Sequence, residues 1–252
     1  MNKPFFTIII PSLNEEINLP ILLESINNQS FKKYEVIVVD CFSKDSTKEK
    51  VEKLMKKMSQ LQLLQRKTKN VSQARNIGAF LAKSEYLIFF DADVEIGEPD
   101  FLGKIKKHIE EDQLDMLTVW NRPKTKNIIG QLTLTVLNLG MSAMQKLKPT
   151  ANGPCIIIKK ELFNKLKGFD ETIVFGEDFE ITQKAWKMGA KFKVFSKPIL
   201  YVSARRWEQE GIPITIYKTV KSLLHQFFIG PIRKPIFEYK MGGQVFKETK
   251  KD

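Results

Sequence analysis

Cysteine and histidine are scarce in this sequence of 252 residues. Its two cysteines, Cys41 and Cys155, lie far apart and lack Cys-x-x-Cys spacing, which argues against a disulfide framework and favours a reducing compartment. Its two histidines, His108 and His225, form no zinc motif and leave little material for a Ser-His-Asp triad. Acid–base or metal chemistry is therefore expected to depend on carboxylates.

Long apolar runs are also missing. Met1–Pro4 leads directly into a short strand-like run without a signal-peptide pattern, so we expect a cytoplasmic location. Asn127–Gln145 is uncharged, yet polar residues recur in it at helical spacing, which predicts an amphipathic helix rather than a membrane span. Ile212–Ile229 is similar but contains Lys218 and Lys221. Both helices are expected either to pack on the catalytic domain or a protein partner, or to lie peripherally on an anionic membrane surface.

Acidic residues are outnumbered by basic ones, 29 to 41, which gives a formal net charge of +12. Such a surplus favours anionic partners, namely nucleic acid, anionic lipid or phosphorylated small molecules, without choosing among them. The aromatic residues lie mainly in apolar strand runs and are not interleaved with Lys and Arg on one surface. A nucleic-acid partner is therefore not expected.

Apolar runs alternate with segments of helical spacing in the first half of the chain. The predicted strands there are Phe5–Ile10, Glu35–Val39 and Tyr86–Phe90, and the predicted helices include Glu15–Gln29 and Val71–Lys83. This order predicts an α/β fold with a mostly parallel central sheet flanked by helices. In the second half the predictions include a helix at Asp178–Met188 and strands at Lys191–Phe195 and Ile199–Val202.

Polar and acidic residues follow three of the predicted strands, at Pro11–Glu15, at Asp40 and at Asp91-Ala92-Asp93. Sheets of this kind bind ligands outside the carboxyl ends of their strands. Two carboxylates at positions i and i+2, directly after a buried strand, can bring an oxygen of each near one divalent cation. We therefore expect Asp91 and Asp93 to bind Mg²⁺ or Mn²⁺, with water and phosphate completing the shell.

An ordered set of short motifs follows the same strand and helix ends. It comprises Pro11–Glu15, Val38–Thr47, Ala74–Gly78, Asp91–Asp93, Gly168–Glu171 and Gly176–Asp178. Each motif is weak by itself, but the ordered set resembles family 2 of the glycosyltransferases over about residues 5–210. That resemblance implies the GT-A fold, with a catalytic domain at 1–210 and a basic, helical C-terminal extension at 211–252. It also implies an inverting displacement that uses a nucleoside-diphosphate sugar.

The resemblance assigns roles to particular residues. Around the nucleotide, it implies that Pro11, Ser12, Asn14 and Glu15 line the pocket, that Asp40 accepts a hydrogen bond from the base, and that Arg75 lies beside base and phosphate. In the Asp91-Ala92-Asp93 motif, Asp91 would face the ribose and the metal, and Asp93 would ligate the metal. Asp178, beside Glu177, would be the general base.

Three further residues, Arg205, Arg206 and Trp207, suit phosphate binding and stacking on a sugar or an apolar acceptor. Processive polysaccharide synthases of the family carry Gln-x-x-Arg-Trp and several membrane spans, whereas this chain has Arg-Arg-Trp and no clear span. The departure favours transfer of a single sugar, to an acceptor hydroxyl or a lipid-linked phosphate. The alternatives are a nucleotidyltransferase, which would be expected to have a Gly- and Lys-rich first loop, or a non-catalytic basic nucleotide- or nucleic-acid-binding domain.

Overall fold

The computed structural model describes residues 3–237. Its strands are β1 (Phe6–Ser12), β2 (Tyr34–Asp40), β3 (Leu61–Gln65), β4 (Tyr86–Phe90), β5 (Val94–Ile96), β6 (Met116–Pro123), β7 (Cys155–Lys159) and β8 (Phe192–Val202). Its helices are α1 (Asn18–Asn27), α2 (Thr47–Met55), α3 (Val71–Leu81), α4 (Phe101–Asp112), α5 (Ile128–Met144), α6 (Lys160–Lys165), α7 (Glu177–Lys187), α8 (Arg205–Glu210) and α9 (Ile212–Phe228). The described strands form one sheet in the order β3-β2-β1-β4-β7-β6-β8-β5.

The first half of the sheet is parallel, as the apolar runs predict. β1 pairs with both β2 and β4, and β2 pairs with β3, all in parallel. Ser12 lies opposite Asp40 in the β1–β2 register, so the two strands end at the same level. Because both faces are covered by helices, residues of either face are buried, and the strands contain few polar residues.

The second half adds antiparallel strands. β7 pairs antiparallel with β4 and β6, β6 pairs parallel with β8, and β5 is an antiparallel edge strand on β8. The two predicted strands at Lys191–Phe195 and Ile199–Val202 are in fact one strand, β8. Its register on β6 shifts between Val119 and Asn121, and this irregularity accommodates the residues around Pro198 while the chain stays extended.

Alternate side chains of the sheet enter two different cores. Ile8 and Ile10 pack with α1 residues such as Leu22 on one face, whereas Ile9 and Phe89 pack on the other with residues near α6 and α7. This is the two-residue alternation of strand side chains. The covered sheet is a rigid base on which the loops at its carboxyl edge are positioned.

The first helix is shorter than its apolar spacing predicts. It runs Asn18–Asn27 instead of Glu15–Gln29. The backbone N–H of Glu15 donates to Thr47 Oγ1 at 2.8 Å, and that of Glu16 donates to Asp45 at 3.2 Å. These bonds to the β2–α2 loop hold residues 15–16 outside the helix, at the edge where ligands bind. The predicted helices Val71–Lys83 and Asp178–Met188 agree with α3 and α7 to within one or two residues at each end, whereas α2 ends four residues before the end of the predicted helix Ser46–Ser59.

Helix α5 is amphipathic, as predicted, and the C-terminal part of its polar stripe, from Asn138 onward, faces the protein. Asn138 is buried, and its side-chain amide donates to the backbone carbonyl of Asn121 at 2.9 Å while its Oδ1 accepts the backbone N–H of Asn121. Ser142 accepts a hydrogen bond from the Trp120 indole at 2.9 Å. Among the described residues, no helix is both long and apolar enough to cross a membrane. The division into 1–210 and 211–252 stays a prediction, and 238–252 lie outside the described residues.

Candidate active site

The loops after β1 and β2 are bound to each other. Asp40, at the end of β2, is buried, and its carboxylate accepts hydrogen bonds from Ser43 and from Gln65 Nε2, the latter at 3.1 Å. Ser43 Oγ in turn accepts the backbone N–H of Asn14 at 2.8 Å, and Asn14 Oδ1 accepts that of Lys44. Asp40 therefore fixes the shape of the predicted nucleotide loop. Its contact with a base stays a prediction.

Glu15 connects this loop to the second aspartate of the acidic motif. Arg205 binds Glu15 with two hydrogen bonds, at 2.9 and 3.1 Å, and also lies 3.3 Å from Asp93 Oδ2. The guanidinium thus stands between two carboxylates that would otherwise repel each other. Three predicted site residues from the beginning, middle and end of the chain meet here.

Arg75 makes the other central contact. It is 1% exposed, and it donates to Asp91 Oδ1 at 2.8 Å, to Glu177 Oε1 at 2.6 Å and to the carbonyl of Gly153 at 3.2 Å. Burial lowers the pKa of its guanidinium, but the nearby carboxylates outweigh burial and raise it. Arg75 is therefore a permanent buried cation that joins the loop after β4 to the beginning of α7. The predicted place of Arg75 beside base and phosphate stays a prediction.

The rest of the Ala74–Gly78 motif has a packing role. Asn76 donates to the carbonyl of Phe169 at 2.9 Å and accepts its N–H at 2.9 Å, so α3 holds the Gly168–Glu171 loop. A β-carbon at Gly78 would overlap Ile9, so glycine lets α3 approach β1 closely. Two motifs that are about a hundred residues apart are thus bound together, and this brings α7 to the site.

Asp178 lies in the first turn of α7, after Gly176, whose φ of 84° suits glycine. One carboxylate oxygen accepts its neighbour's N–H at 2.8 Å. The other lies 3.0 Å from where a β-carbon of Gly153 would be, so the Asn152–Cys155 turn passes close to Asp178. The turn also provides the carbonyl that Arg75 binds. The contact places Asp178 next to the Arg75–Asp91 pair.

The carboxylates at this edge titrate abnormally. Burial, reinforced by Glu177, raises the pKa of Asp178 to about 7, against the opposing effects of its own hydrogen bond and of Arg75. Burial and the charges of Asp91 and Glu15 raise the pKa of Asp93 to about 6, although Arg205 and Arg206 oppose this. A buried carboxyl with a pKa near neutrality can both take and release a proton at physiological pH, as a general base must.

The acidic pair fits a divalent cation that needs few protein ligands. Crowding by Asp91 and Glu15 disfavours the charged form of Asp93, and a cation would relieve that repulsion. Within residues 3–237 no group of three or more His, Cys, Asp or Glu side chains forms a metal cage. Mg²⁺ and Mn²⁺ suit such a site because they commonly keep water and substrate phosphate as ligands.

Trp207 packs on helix α5. A β-carbon at Gly130 of α5 would overlap the Trp207 ring, so the indole lies directly on that helix. Burial raises the pKa of both Asp91 and Asp93, and the positive charge of the adjacent Arg206 opposes that rise at each. The buried hydroxyl of Ser12 and the Nε of Arg75 have no hydrogen-bond partner among the described residues. The edge therefore combines positive charge, buried polar atoms and an aromatic face.

The role of Arg75 as a bridge between carboxylates was not predicted from the sequence, although a signal for it exists. Arg75 occupies the same buried helix face as Ala74, Gly78 and Ala79. A charge on such a face needs a buried partner. The sequence analysis also missed the Arg205–Glu15 pair, because 190 residues separate them and spacing does not reveal such contacts.

The sequence model of glycosyl transferase family 2 matches residues 7–166. The chain belongs to this family. A family 2 assignment favours sugar transfer over the nucleotidyltransferase and nucleic-acid-binding alternatives. The residues that the family model matches include Asp40, Arg75, Asp91 and Asp93, whereas Asp178 lies beyond them.

Two relatives of this family 2 glycosyltransferase are longer proteins. An uncharacterized glycosyltransferase of Haemophilus influenzae is 28% identical over 184 residues, which is 71% of this chain and 60% of that protein. The poly(ribitol-phosphate) beta-N-acetylglucosaminyltransferase TarS of Staphylococcus aureus is 26% identical over 210 residues, or 80% of this chain and 36% of TarS. The chain thus spans less than two thirds of the length of either relative.

Solved structures confirm the GT-A fold. S. aureus TarS 1–349 in complex with UDP-GlcNAc has a TM-score of 0.65 and is 25% identical, covering 79% of this chain and 58% of that one. The mannosyltransferase PcManGT from Pyrobaculum calidifontis, in complex with GDP-Man and Mn²⁺, has a TM-score of 0.68 and is 20% identical, covering 88% of this chain and 65% of that one.

Proposed function

We propose that this chain is an inverting glycosyltransferase that moves a single sugar from a nucleoside-diphosphate sugar to an acceptor. One observation carries the proposal: Asp178, a carboxyl with a pKa of about 7, is held beside the Asp91–Asp93 motif by Arg75. The solved relatives support a nucleotide-sugar donor, since their complexes contain UDP-GlcNAc and GDP-Man. Sugar, base and acceptor differ between those two proteins, so the fold does not choose them.

Asp93, with Asp91, would hold Mg²⁺ or Mn²⁺. When bound, the ion would stabilise the negative charge that develops on the diphosphate leaving group. The complex of PcManGT supports this assignment, because that protein of the same fold binds Mn²⁺ together with its donor. Arg206 adds positive charge to the same region, while Arg205 keeps Glu15 and Asp93 together.

Asp178 would act as the general base. Its carboxylate takes the proton of the acceptor hydroxyl as the acceptor oxygen attacks the anomeric carbon. The bond from that carbon to the diphosphate breaks on the opposite side, and the configuration therefore inverts. Glu177 does not compete for the role, because its carboxylate is bound to Arg75 at 2.6 Å. It acts instead as a positioning residue, and its charge raises the pKa of Asp178.

The donor would extend along the carboxyl edge of the sheet. Pro11–Glu15 and Asp40 would border the nucleoside, with β1 between the strands that end at Asp40 and at Asp91. That separation is about 10 Å at the usual strand spacing. Trp207 follows Arg206 in the chain and would provide an aromatic face suited to a sugar or an apolar acceptor.

Nucleotide binding with and without metal tests the proposal. We expect UDP or GDP to raise the melting temperature in the presence of Mn²⁺ or Mg²⁺, and we expect Asp93→Asn to weaken that binding about tenfold or more because it removes a metal ligand. Asp112→Asn is the matched control, since Asp112 lies at the far end of α4 and pairs with Lys193. Metal-independent nucleotide binding, or equal affinity in the two variants, would reject the metal assignment.

A further inference from the structure

Helix α5 presents its apolar side chains to solvent. Leu132, Val136 and Leu139 are all more than half exposed, whereas Asn138 on the opposite side is 4% exposed and bonded to the protein. Surface helices of globular proteins normally have the reverse arrangement, with the apolar stripe toward the core. Packing on this protein therefore accounts for Asn138 and the buried Met141, and leaves the exposure of Leu132, Val136 and Leu139 unexplained.

Helix α9 repeats the pattern. Its buried residues are Ser222 and Gln226, while Tyr217, Leu224 and Phe228 are exposed by more than half. The two helices touch, and a shallow apolar groove between them is lined by Ile129 of α5 and by Ile212, Pro213, Ile216, Tyr217 and Val220 of α9. We call the surface formed by Leu132, Val136 and Leu139 with Tyr217, Leu224 and Phe228 the α5/α9 face.

The segments that carry this face are strongly basic. Residues 124–148 and 211–237 contain eight Lys and Arg and no Asp or Glu. They therefore contribute eight of the twelve surplus positive charges of the whole chain. Three of the eight, Lys124, Lys218 and Arg233, pair with acids of other segments, namely Glu95, Glu210 and Asp170. The other five, Lys126, Lys146, Lys148, Lys221 and Lys234, lie within these helices or next to their ends along the chain, which gives the α5/α9 face a basic border.

We propose that the α5/α9 face docks on the surface of an anionic lipid bilayer. An apolar helix face within a basic border is the combination that inserts among lipid headgroups and acyl chains. A second copy of the chain fits less well, because it would bring two basic borders together. Each helix has 17 residues, so both would lie in the plane of the interface.

The inner sides of the same helices touch the candidate active site. Gln226 of α9 packs against Gly176, directly before Glu177, and Trp207 lies on Gly130 of α5. A docked bilayer would therefore lie beside the general base and the aromatic face. Resting on the proposed transferase function, this placement assigns the acceptor to the lipid-linked class, presented at the membrane surface.

Vesicle flotation of the full chain tests the proposal. We expect flotation at about 150 mM NaCl with phosphatidylcholine vesicles containing about 30 mol% phosphatidylglycerol, and several-fold less with phosphatidylcholine alone or at about 0.5 M NaCl. Leu132→Ser with Phe228→Ser should reduce the floated fraction about tenfold, because two apolar contacts are lost. Phe80→Ser is the control, since Phe80 is at least as exposed as Leu132 and Phe228 but lies on α3.

Three outcomes would overturn the membrane proposal. These are absence of flotation with the anionic vesicles, equal flotation of the double variant and wild type, and a dimer in sedimentation velocity that the double variant converts to monomer without lipid binding. UDP and GDP binding, measured on the same samples, separates the two proposals. Intact nucleotide binding without flotation rejects the membrane surface alone, whereas flotation without nucleotide binding rejects the transferase function.

Discussion

Replacement of Asp178 by asparagine removes a carboxylate whose ionisation destabilises the folded protein. The carboxyl has a pKa of about 7 in the folded protein against an ordinary 3.8, so the folded state binds its proton more tightly than the unfolded state. Stability therefore falls as pH rises from about 4 to 7. At 1.36 kcal/mol per pKa unit, the ionised group would cost roughly 4 kcal/mol at pH 8. Partial contact with solvent lowers the expected gain of Asp178→Asn to about 1–3 kcal/mol.

Urea unfolding of the metal-free protein at pH 5 and pH 8 measures this gain. The difference between the two proteins should be largest at pH 8, clearly smaller at pH 5 and close to zero only below about pH 4, where Asp178 is protonated in the unfolded state as well. Asp93 titrates in both proteins and cancels in the difference. Sugar transfer should fall by about 10²–10⁴, and in the wild type it should rise through about pH 7 as the base ionises. An asparagine variant that is less stable at pH 8, or equally active, would refute the reasoning.

Two further substitutions probe the supports of the site. Arg75→Lys keeps the charge but loses the forked guanidinium that binds Asp91 and Glu177 together, so we expect the free energy of unfolding in urea to fall by about 2–4 kcal/mol and sugar transfer to fall strongly. Arg66→Lys is the control, because the Arg66 side chain is exposed and bonds only to a local carbonyl, and it should change neither quantity. Identical behaviour of the two variants would contradict the bridging role. Gly130→Ala should displace Trp207, shift its fluorescence and weaken substrate binding several-fold, despite a helix-propensity gain of about 1 kcal/mol. Gly140→Ala, in open space on the same helix, should show only that gain; unchanged Trp207 fluorescence in Gly130→Ala would remove the argument from close packing.

The parallel half of the sheet was predictable because its determinants are local. Tyr86–Phe90 is a buried apolar run with acidic residues directly after it, and strand β4 has these same bounds. The convergence of loops at the carboxyl edge follows from parallel pairing, so the proximity of the β1, β2 and β4 loops needed no knowledge of distant contacts.

Contacts between distant segments were not predictable in this way. The burial of the Arg75 guanidinium between Asp91 and Glu177 was not predicted from the sequence, and its place beside base and phosphate stays a prediction. Glu15 lies outside the first helix, because its backbone N–H donates to Thr47 Oγ1. The orientation of α5 was also left open, since amphipathic spacing defines two faces and does not say which one the protein covers.

The Arg75 bridge has a consequence for protein engineering. It connects a helix from the parallel half of the sheet to a helix of the mixed half, at residues 102 positions apart in the chain. Chimeras of related enzymes with a crossover between β4 and α7 would inherit the arginine from one parent and its glutamate from the other. Only parents that both have this ion pair would yield a hybrid in which Asp91, after β4, and Asp178, at the beginning of α7, still lie next to each other.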